Sequence, residues 1–417
     1  VLSLEQKPNV PHVNKHPNTH IDAKRRLNVL QIIPALQTGG AERTTVDVAR
    51  AVMASGGRAV VATRGGRMVE ELKTTGAHVV LLPVDSKNPF TLWRNVSRLK
   101  RLIKRHDIAL VHARSRAPAW SGFFAAKGCD IPFITTYHGT YGAKTASKRF
   151  YNSIMVRGVR VIANSAFIAE RIHATYPWAA DKIITIPRGL DLGAFDPGTV
   201  NADRQETVRR AWGLENDSRP IILLPGRLTR WKGQAVLIDA ARKLMERGQK
   251  RFVCVLAGDS QGKQAYEEEL RTLSRSPVLA DRVRIVGHCT DMPAAYALSR
   301  VVVSTSTRAE AFGRIAVEAQ AMGKAVIASD HGGARETVIN GVTGWLVSPN
   351  DPEELARALD ATLSLKPDAI ADLSTRARAH VVKTYSLRQM CAKTISVYRE
   401  AVGVYGKYRE TKKSKAR

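Results

Sequence analysis

Cysteine is scarce in this 417-residue chain, and the signatures that cysteine carries are missing with it. The four thiols, Cys129, Cys254, Cys289 and Cys391, stand far apart, with no C-x-x-C pair and no histidine at metal-ligand spacing. That excludes a zinc ribbon or a dense disulfide framework and reads as buried, reduced thiols of a cytosolic protein. Long apolar runs are absent too. None approaches the roughly 18–20 residues that span a bilayer, and the polar N-terminus has no signal-peptide core. The chain is therefore expected to be cytoplasmic, soluble or peripheral. Acids are in short supply: 37 Asp and Glu face 65 Lys and Arg, leaving a net charge of +28. Residues 1–200 carry 29 basic and 13 acidic side chains, net +16, and the remainder carries 36 and 24, net +12. Such an excess implies an anionic partner or surface without naming it. No helix-turn-helix, zinc-finger or aromatic RNA-binding signature is present, so no specific nucleic acid is expected.

A chain of this length exceeds what one hydrophobic core usually serves, which makes two domains the default. Residues 1–26, rich in Pro, Asn, His and Lys, read as a disordered tail, and 411–417 as a second, basic one. Between them, short β-branched runs at 28–33, 58–63, 78–82, 108–112, 133–136 and 160–163 alternate with stretches of helical period. This is the rhythm of a parallel sheet with crossover helices. After a Pro- and Gly-rich stretch at 187–197 the pattern restarts at 221–224, 252–257, 283–286, 301–304 and 325–328. Two Rossmann-like α/β/α domains facing across a cleft follow, over 27–195 and 196–385. The last periodic stretch, 386–410, has no strand after it and is expected to cross back to the first domain.

The most informative pair is Glu310 and Glu318, which bracket Ala311-Phe312-Gly313-Arg314-Ile315-Ala316-Val317 at the mouth of a predicted helix. On a fully helical path they would stand ~12 Å apart along the axis. That suits a ligand with hydroxyl-rich ends and an anionic middle, because free N–H groups at a helix N-terminus attract phosphate. A nucleoside-diphosphate sugar has this form; an acidic turn that only complements the helix dipole is the plainer alternative. Arg227 and Lys232, in Pro225-Gly226-Arg227-Leu228-Thr229-Arg230-Trp231-Lys232-Gly233, fall just past a strand's carboxyl end, the ligand edge of an open α/β sheet. A guanidinium grips phosphate oxygens bidentately and an ammonium adds a compact second charge. Together they can neutralise a diphosphate and stabilise it as it leaves.

In Gln37-Thr38-Gly39-Gly40-Ala41-Glu42-Arg43, Gly39 and Gly40 either let backbone approach a ligand or make a tight turn. The G-x-G-x-x-G spacing of a dehydrogenase is missing. His138, after the 133–136 strand, is placed to bond a sugar hydroxyl or to serve structure alone. Arg114 and Arg116, with Lys144, Lys148, Arg149 and Arg157, make a pocket for an acidic acceptor or general surface basicity. Asp330-His331-Gly332-Gly333-Ala334-Arg335-Glu336 either admits a ligand at its double glycine or uses Glu336 to cap the next helix. The basic amphipathic stretch 93–105 is expected to pack Trp93, Val96, Leu99, Leu102 and Ile103 on the sheet, with an anionic membrane surface as a secondary role for its other face.

Taken in order, and with the closing Asn340-Gly341-Val342-Thr343-Gly344-Trp345-Leu346-Val347, these motifs resemble the family 4 retaining glycosyltransferases of the GT-B fold over roughly residues 27–405. The resemblance implies that Arg227 and Lys232 bind the donor diphosphate, Glu318 the ribose, and Glu310 the donor sugar. Ala311, Phe312, Gly313, Arg314 and Ile315 complete that donor loop. Gly39, Gly40 and His138 would lie across the cleft, and the segment from Gly287 to Asp291 would meet the base. His138, Glu310, Arg227 and Lys232 would carry catalysis. The Asp-x-Asp metal signature is missing, so this reading requires no metal or other cofactor beyond the nucleotide-sugar substrate. Gly258-Asp259-Ser260 departs from the glycine-richer turn of many members. Arg114-Ser115-Arg116-Ala117-Pro118-Ala119-Trp120 and Tyr137-His138-Gly139-Thr140-Tyr141 look like bacterial lipopolysaccharide-core enzymes, including mannosyltransferases. The implied reaction moves a hexose, such as mannose from GDP-mannose, to a lipopolysaccharide-core or related anionic glycolipid at the cytoplasmic face of the inner membrane. A UDP-sugar donor and non-catalytic polyanion binding are the alternatives.

Overall fold

The computed structural model describes residues 26–414 apart from 38, 261, 263 and 280, with side chains up to 406. The stretch read as an N-terminal tail lies outside the described residues except for Arg26. Seven strands form the first sheet: β1 (Asn28–Ile32), β2 (Arg58–Thr63), β3 (His78–Leu81), β4 (Leu110–Ala113), β5 (Phe133–Tyr137), β6 (Arg160–Ala163) and β7 (Ile183–Thr185). They are parallel, in the order β3-β2-β1-β4-β5-β6-β7. Six form the second: β8 (Ile221–Pro225), β9 (Val253–Ala257), β10 (Val283–Gly287), β11 (Ser299–Ser304), β12 (Ala325–Ser329) and β13 (Trp345–Val347), parallel in the order β10-β9-β8-β11-β12-β13. Helices cover both faces of each sheet, so the central strands are apolar along their length rather than alternating. In both sheets the strand order reverses beside the first strand, and a crevice opens there past the carboxyl ends. The loops after β1 and β8 stand at these two points.

The Leu387–Ser414 helix leaves the second domain and packs on the first. Met390, Ile395, Val397, Tyr398 and Ala401 join the cluster containing Val46 and Val52 of the Gly40–Ala54 helix. The crossing is close: a Cβ on Gly189 would lie 2.5 Å from Leu387 Cα. Its polar anchor is the Tyr398 hydroxyl, 2.6 Å from His112 Nδ1, while His112 Nε2 meets Thr136 Oγ1 at 2.8 Å. The helix continues through residues 411–414, which the sequence reading assigned to a basic tail.

The basic helix Pro89–Arg105 packs on the sheet through four of the five expected residues, Leu99 and Ile103 buried and Val96 and Leu102 partly so, and only Trp93 departs from the expectation. Asn95, Leu99 and Ile103 face the sheet, and Asn95 Nδ2 donates to the Pro83 carbonyl at 3.0 Å. Trp93 lies two residues, some 200°, from Asn95 around the helix, and it is 68% exposed.

Candidate functional site

The second-domain wall of the cleft is built on backbone that only glycine permits. The turns after β8 and β9 press together so closely that a Cβ on Gly258 would sit 1.9 Å from the Gly226 carbonyl oxygen. At the start of the Gln234–Glu246 helix, Gly233 holds a left-handed φ of 73°. Thr305 Oγ1 donates to the carbonyls of Lys232 and Gly233 at 3.2 and 2.9 Å. These bonds lock the backbone behind Lys232, whose Nζ lies 2.7 Å from Glu310 Oε1. The Ser306 hydroxyl donates to the same carboxylate oxygen. Burial alone would raise the Glu310 pKa, but Lys232, Ser306 and His331 outweigh it and hold the carboxyl below its ordinary value. Arg227 lines the same cleft.

The two acids do not share one helical path. Gly313, at φ 84°, breaks the chain between Glu310 and the Arg314–Ala321 helix, so Glu318 alone is helical. Glu318 accepts from the Tyr296 hydroxyl at 2.8 Å and pairs with Arg314 Nε. Both carboxylates nevertheless line one cleft, together with Ala311, Phe312, Gly313, Arg314 and Ile315. The double glycine at 332–333 is not part of the cleft lining; it buttresses this loop. A Cβ on Gly333 would lie 2.4 Å from Phe312 Cα, and the Gly333 amide donates to the Glu310 carbonyl at 2.9 Å.

Gly39, Gly40, His138, Gly139 and Thr140 form the facing wall. His138 is held between two guanidiniums: Arg114 Nη1 lies 3.5 Å from its Nε2, and Arg188 Nη2 lies 3.4 Å from its Nδ1 and 3.2 Å from its carbonyl oxygen. Burial, then Arg188 and Arg114, drive the His138 pKa well below its ordinary value, so the imidazole is neutral at physiological pH. Burial also lowers Arg188, to about 10, with Arg314 adding to the effect. Sequence reading missed Arg188. Its one signal is Pro187-Arg188-Gly189 directly after β7, and β7 is only three residues long. Gly40 is glycine for a local reason, since a Cβ there would meet Arg188 Nη1 at 1.6 Å.

Between the walls lies a cleft of about 710 Å³, within the range of small-molecule and cofactor sites. At one end His288, Cys289 and Met292 line it, turned in by Gly287 at φ 69°. Asp291 is not part of that end. Its carboxylate caps the Met292–Leu298 helix at the Ala294 amide and pairs with Arg204 at 2.7 Å, facing away from the cleft.

Comparison with known proteins agrees with this architecture. Residues 38–194 match the family described as Glycosyltransferase Family 4, and 205–380 match Glycosyl transferases group 1. The chain belongs to the family 4 (group 1) glycosyltransferases. A glycosyltransferase from Rickettsia africae is 35% identical, with a TM-score of 0.84 over 90% of this chain and 99% of that one. D-inositol 3-phosphate glycosyltransferase 1 from Catenulispora acidiphila is 30% identical over 71% of this chain and 73% of its own length. Anabaena HepE, solved with UDP and glucose, shares the fold at 24% identity, with a TM-score of 0.76 over 88% and 98% of the two chains.

In this glycosyltransferase the cations expected to meet an acceptor are dispersed. Arg114 is buried, with Nε 2.9 Å and Nη2 2.5 Å from Gln31 Oε1, so it supports His138 instead of greeting a substrate. Arg116 packs over the Tyr141 ring at 4.3 Å and donates to Asn152 at 3.1 Å. Lys144, Lys148 and Arg149 are exposed on or just before the Ala146–Ser153 helix, outside the cleft lining. Among the described residues, no group of three His, Cys, Asp or Glu side chains is arranged to hold a metal.

Glu336 does cap a helix, but in the other domain. Its carboxylate accepts from the Ala166 and Phe167 amides at 2.8 and 2.6 Å, at the start of the Ala166–Thr175 helix, while the Ser165 hydroxyl donates to the Ala311 carbonyl. Glu336→Ala is expected to cost about 1 kcal/mol, the usual worth of an N-cap, and to speed hydrogen exchange at the Ala166 and Phe167 amides. Unchanged exchange there would contradict the cross-domain cap. A pH profile tests His138: transfer should show no acid limb near pH 6.5, and Arg188→Met should move the imidazole limb upward by removing a neighbouring cation. A limb unmoved by that substitution would mean that Arg188 does not act on His138.

Proposed function

We propose that the enzyme transfers a hexosyl group from a nucleoside-diphosphate hexose to an anionic acceptor, with retention of anomeric configuration. The observation that carries this reading is the convergence of Arg227, Lys232, Glu310 and Glu318 on one cleft, opposite Gly40 and neutral His138. Arg227 and Lys232 receive the diphosphate and stabilise its charge as the glycosidic bond breaks. Glu318 receives the ribose, and Glu310 orients Lys232 and meets the sugar. His138 approaches the sugar from the other domain, and closure of the cleft excludes water that would hydrolyse the donor. A neutral imidazole there adds no positive charge beside the cationic centre that develops at the anomeric carbon.

Mannose from GDP-mannose onto a lipopolysaccharide-core acceptor is the narrow form of this reading. The relatives named for D-inositol 3-phosphate favour a phosphate-bearing acceptor, and the UDP held by the Anabaena protein makes a UDP-hexose the first donor to set against GDP-mannose. A panel of nucleotide sugars with anionic acceptors, read by product mass and anomeric configuration, tests it. Turnover of one donor with retention is expected. Failure of the whole panel to bind or react would overturn it.

A further inference from the structure

Among the described residues few large aromatic side chains are exposed, and most of those few share one face. Five Phe or Trp side chains are strongly exposed among the described residues, and four of them belong to one face of the first domain: Phe90 (63%), Trp93 (68%), Phe124 (48%) and Phe150 (61%). The helices that carry them, Pro89–Arg105, Arg116–Gly128 and Ala146–Ser153, cover the same side of the first sheet. The first two run parallel, since the Lys100 side chain lies against Gly128 near both C-terminal ends. Their N-terminal ends, with Phe90, Trp93 and Trp120, therefore sit at the strands' carboxyl edge, the edge that opens on the donor cleft. Trp120 links Phe124 and Phe150, with its ring 6.2 Å from the one and 5.7 Å from the other, while Phe90 and Trp93 stack on each other at 6.5 Å.

Charge around these aromatics has one sign. Residues 86–157 hold fourteen Lys and Arg against two acids, Asp107 and Asp130. Both acids occupy positive-φ turns after helix C-termini, at the end away from the cleft. Arg94 lies 5.7 Å from the Phe90 ring and Arg157 5.8 Å from the Phe150 ring, so cations flank the apolar rings. Along the outer side of the first helix, Phe90, Arg94, Ser97, Arg101 and Lys104 form one exposed stripe.

We infer that this face docks on an anionic lipid bilayer and holds the mouth of the donor cleft at the membrane surface. Aromatic rings suit the headgroup zone, where one side is apolar and the other wet. Each cation near an anionic leaflet adds attraction that salt screens. A site built only for free polyanions has no use for the exposed Trp93 and Phe90. The assignment rests on the proposed transfer reaction in one respect: a docked cleft serves an acceptor carried by a lipid.

Vesicle flotation of the full chain tests it, with phosphatidylcholine alone and with about one third phosphatidylglycerol, at near-physiological salt. The wild type should float with the anionic vesicles and stay behind with the neutral ones. Phe90→Ser with Trp93→Ser, and separately Arg94→Glu with Arg101→Glu, should each lower partitioning at least tenfold while leaving melting temperature and nucleotide binding unchanged. No flotation of the wild type, or equal flotation of the aromatic double variant, overturns the assignment. So does binding to a short DNA duplex that is lost in these variants while vesicles are ignored. Nucleotide binding in the same samples reports on the transfer reading separately, so the two fail independently.

Discussion

Lys232→Ala is expected to lower sugar transfer roughly a hundredfold to a thousandfold, the usual loss when one preorganised charge is removed from a transition state. Most of the loss should fall on kcat, because the diphosphate gains charge as the bond to the sugar breaks. The substitution also leaves the Glu310 carboxylate without its closest cation. With that cation gone, burial dominates and the Glu310 pKa rises instead of standing below its ordinary value. In the wild type, the stability that the pair contributes is present above the unfolded carboxyl pKa and is lost as pH falls through the lower folded value. The variant should lose this acid-sensitive component along with about 1–3 kcal/mol, a figure kept below that of a fully buried pair because both side chains retain some exposure. Steady-state kinetics with Lys232→Arg as the conservative control separates the roles. Recovery of kcat by arginine supports a charge on the leaving diphosphate, and an unchanged kcat in the alanine variant would remove Lys232 from the mechanism.

Gly233→Ala should be the most damaging single methyl in the second domain. The backbone is left-handed there, and the new Cβ would lie 1.9 Å from the Thr305 carbonyl oxygen, which is main chain and cannot swing aside. Strain and overlap together are expected to cost about 3 kcal/mol or more. Whatever shift relieves the clash moves Lys232, one residue away, so activity should fall even where the protein still folds. A thermal midpoint and rate both within error of wild type would show that the turn has slack that the structure denies.

These two predictions draw on different amounts of sequence information. The two domains were legible because strands buried on both faces leave dense β-branched runs, as at 28–33 and 301–304. The edge strands β7 and β13 were not, since three residues carry no period. Arg227, Lys232 and His138 could be picked out from their places after strands, and Glu310 and Glu318 from their spacing at the mouth of a helix, and the structure brings all five to one cleft. Partnerships across long separations were beyond reach. Glu336 caps a helix 170 positions away, and Arg188 reaches His138 across 50. Arg114 and Asp291 misled because a charged side chain near a strand end reads as a ligand group until its partner, Gln31 or Arg204, is known. Trp93 misled because helical spacing places it at the end of the stripe of Val96, Leu99 and Ile103, whereas the structure leaves it exposed and turns Asn95 inward to a backbone carbonyl.

The central claim is that one interdomain cleft grips a nucleoside-diphosphate sugar through its middle. A crystal structure with an unreactive hexose analogue of the donor tests it most directly. The account predicts the diphosphate within hydrogen-bond reach of Arg227 and Lys232, the ribose at Glu318, and the hexose between Glu310 and His138. A diphosphate bound elsewhere, or in the cleft without contact to either cation, would contradict it.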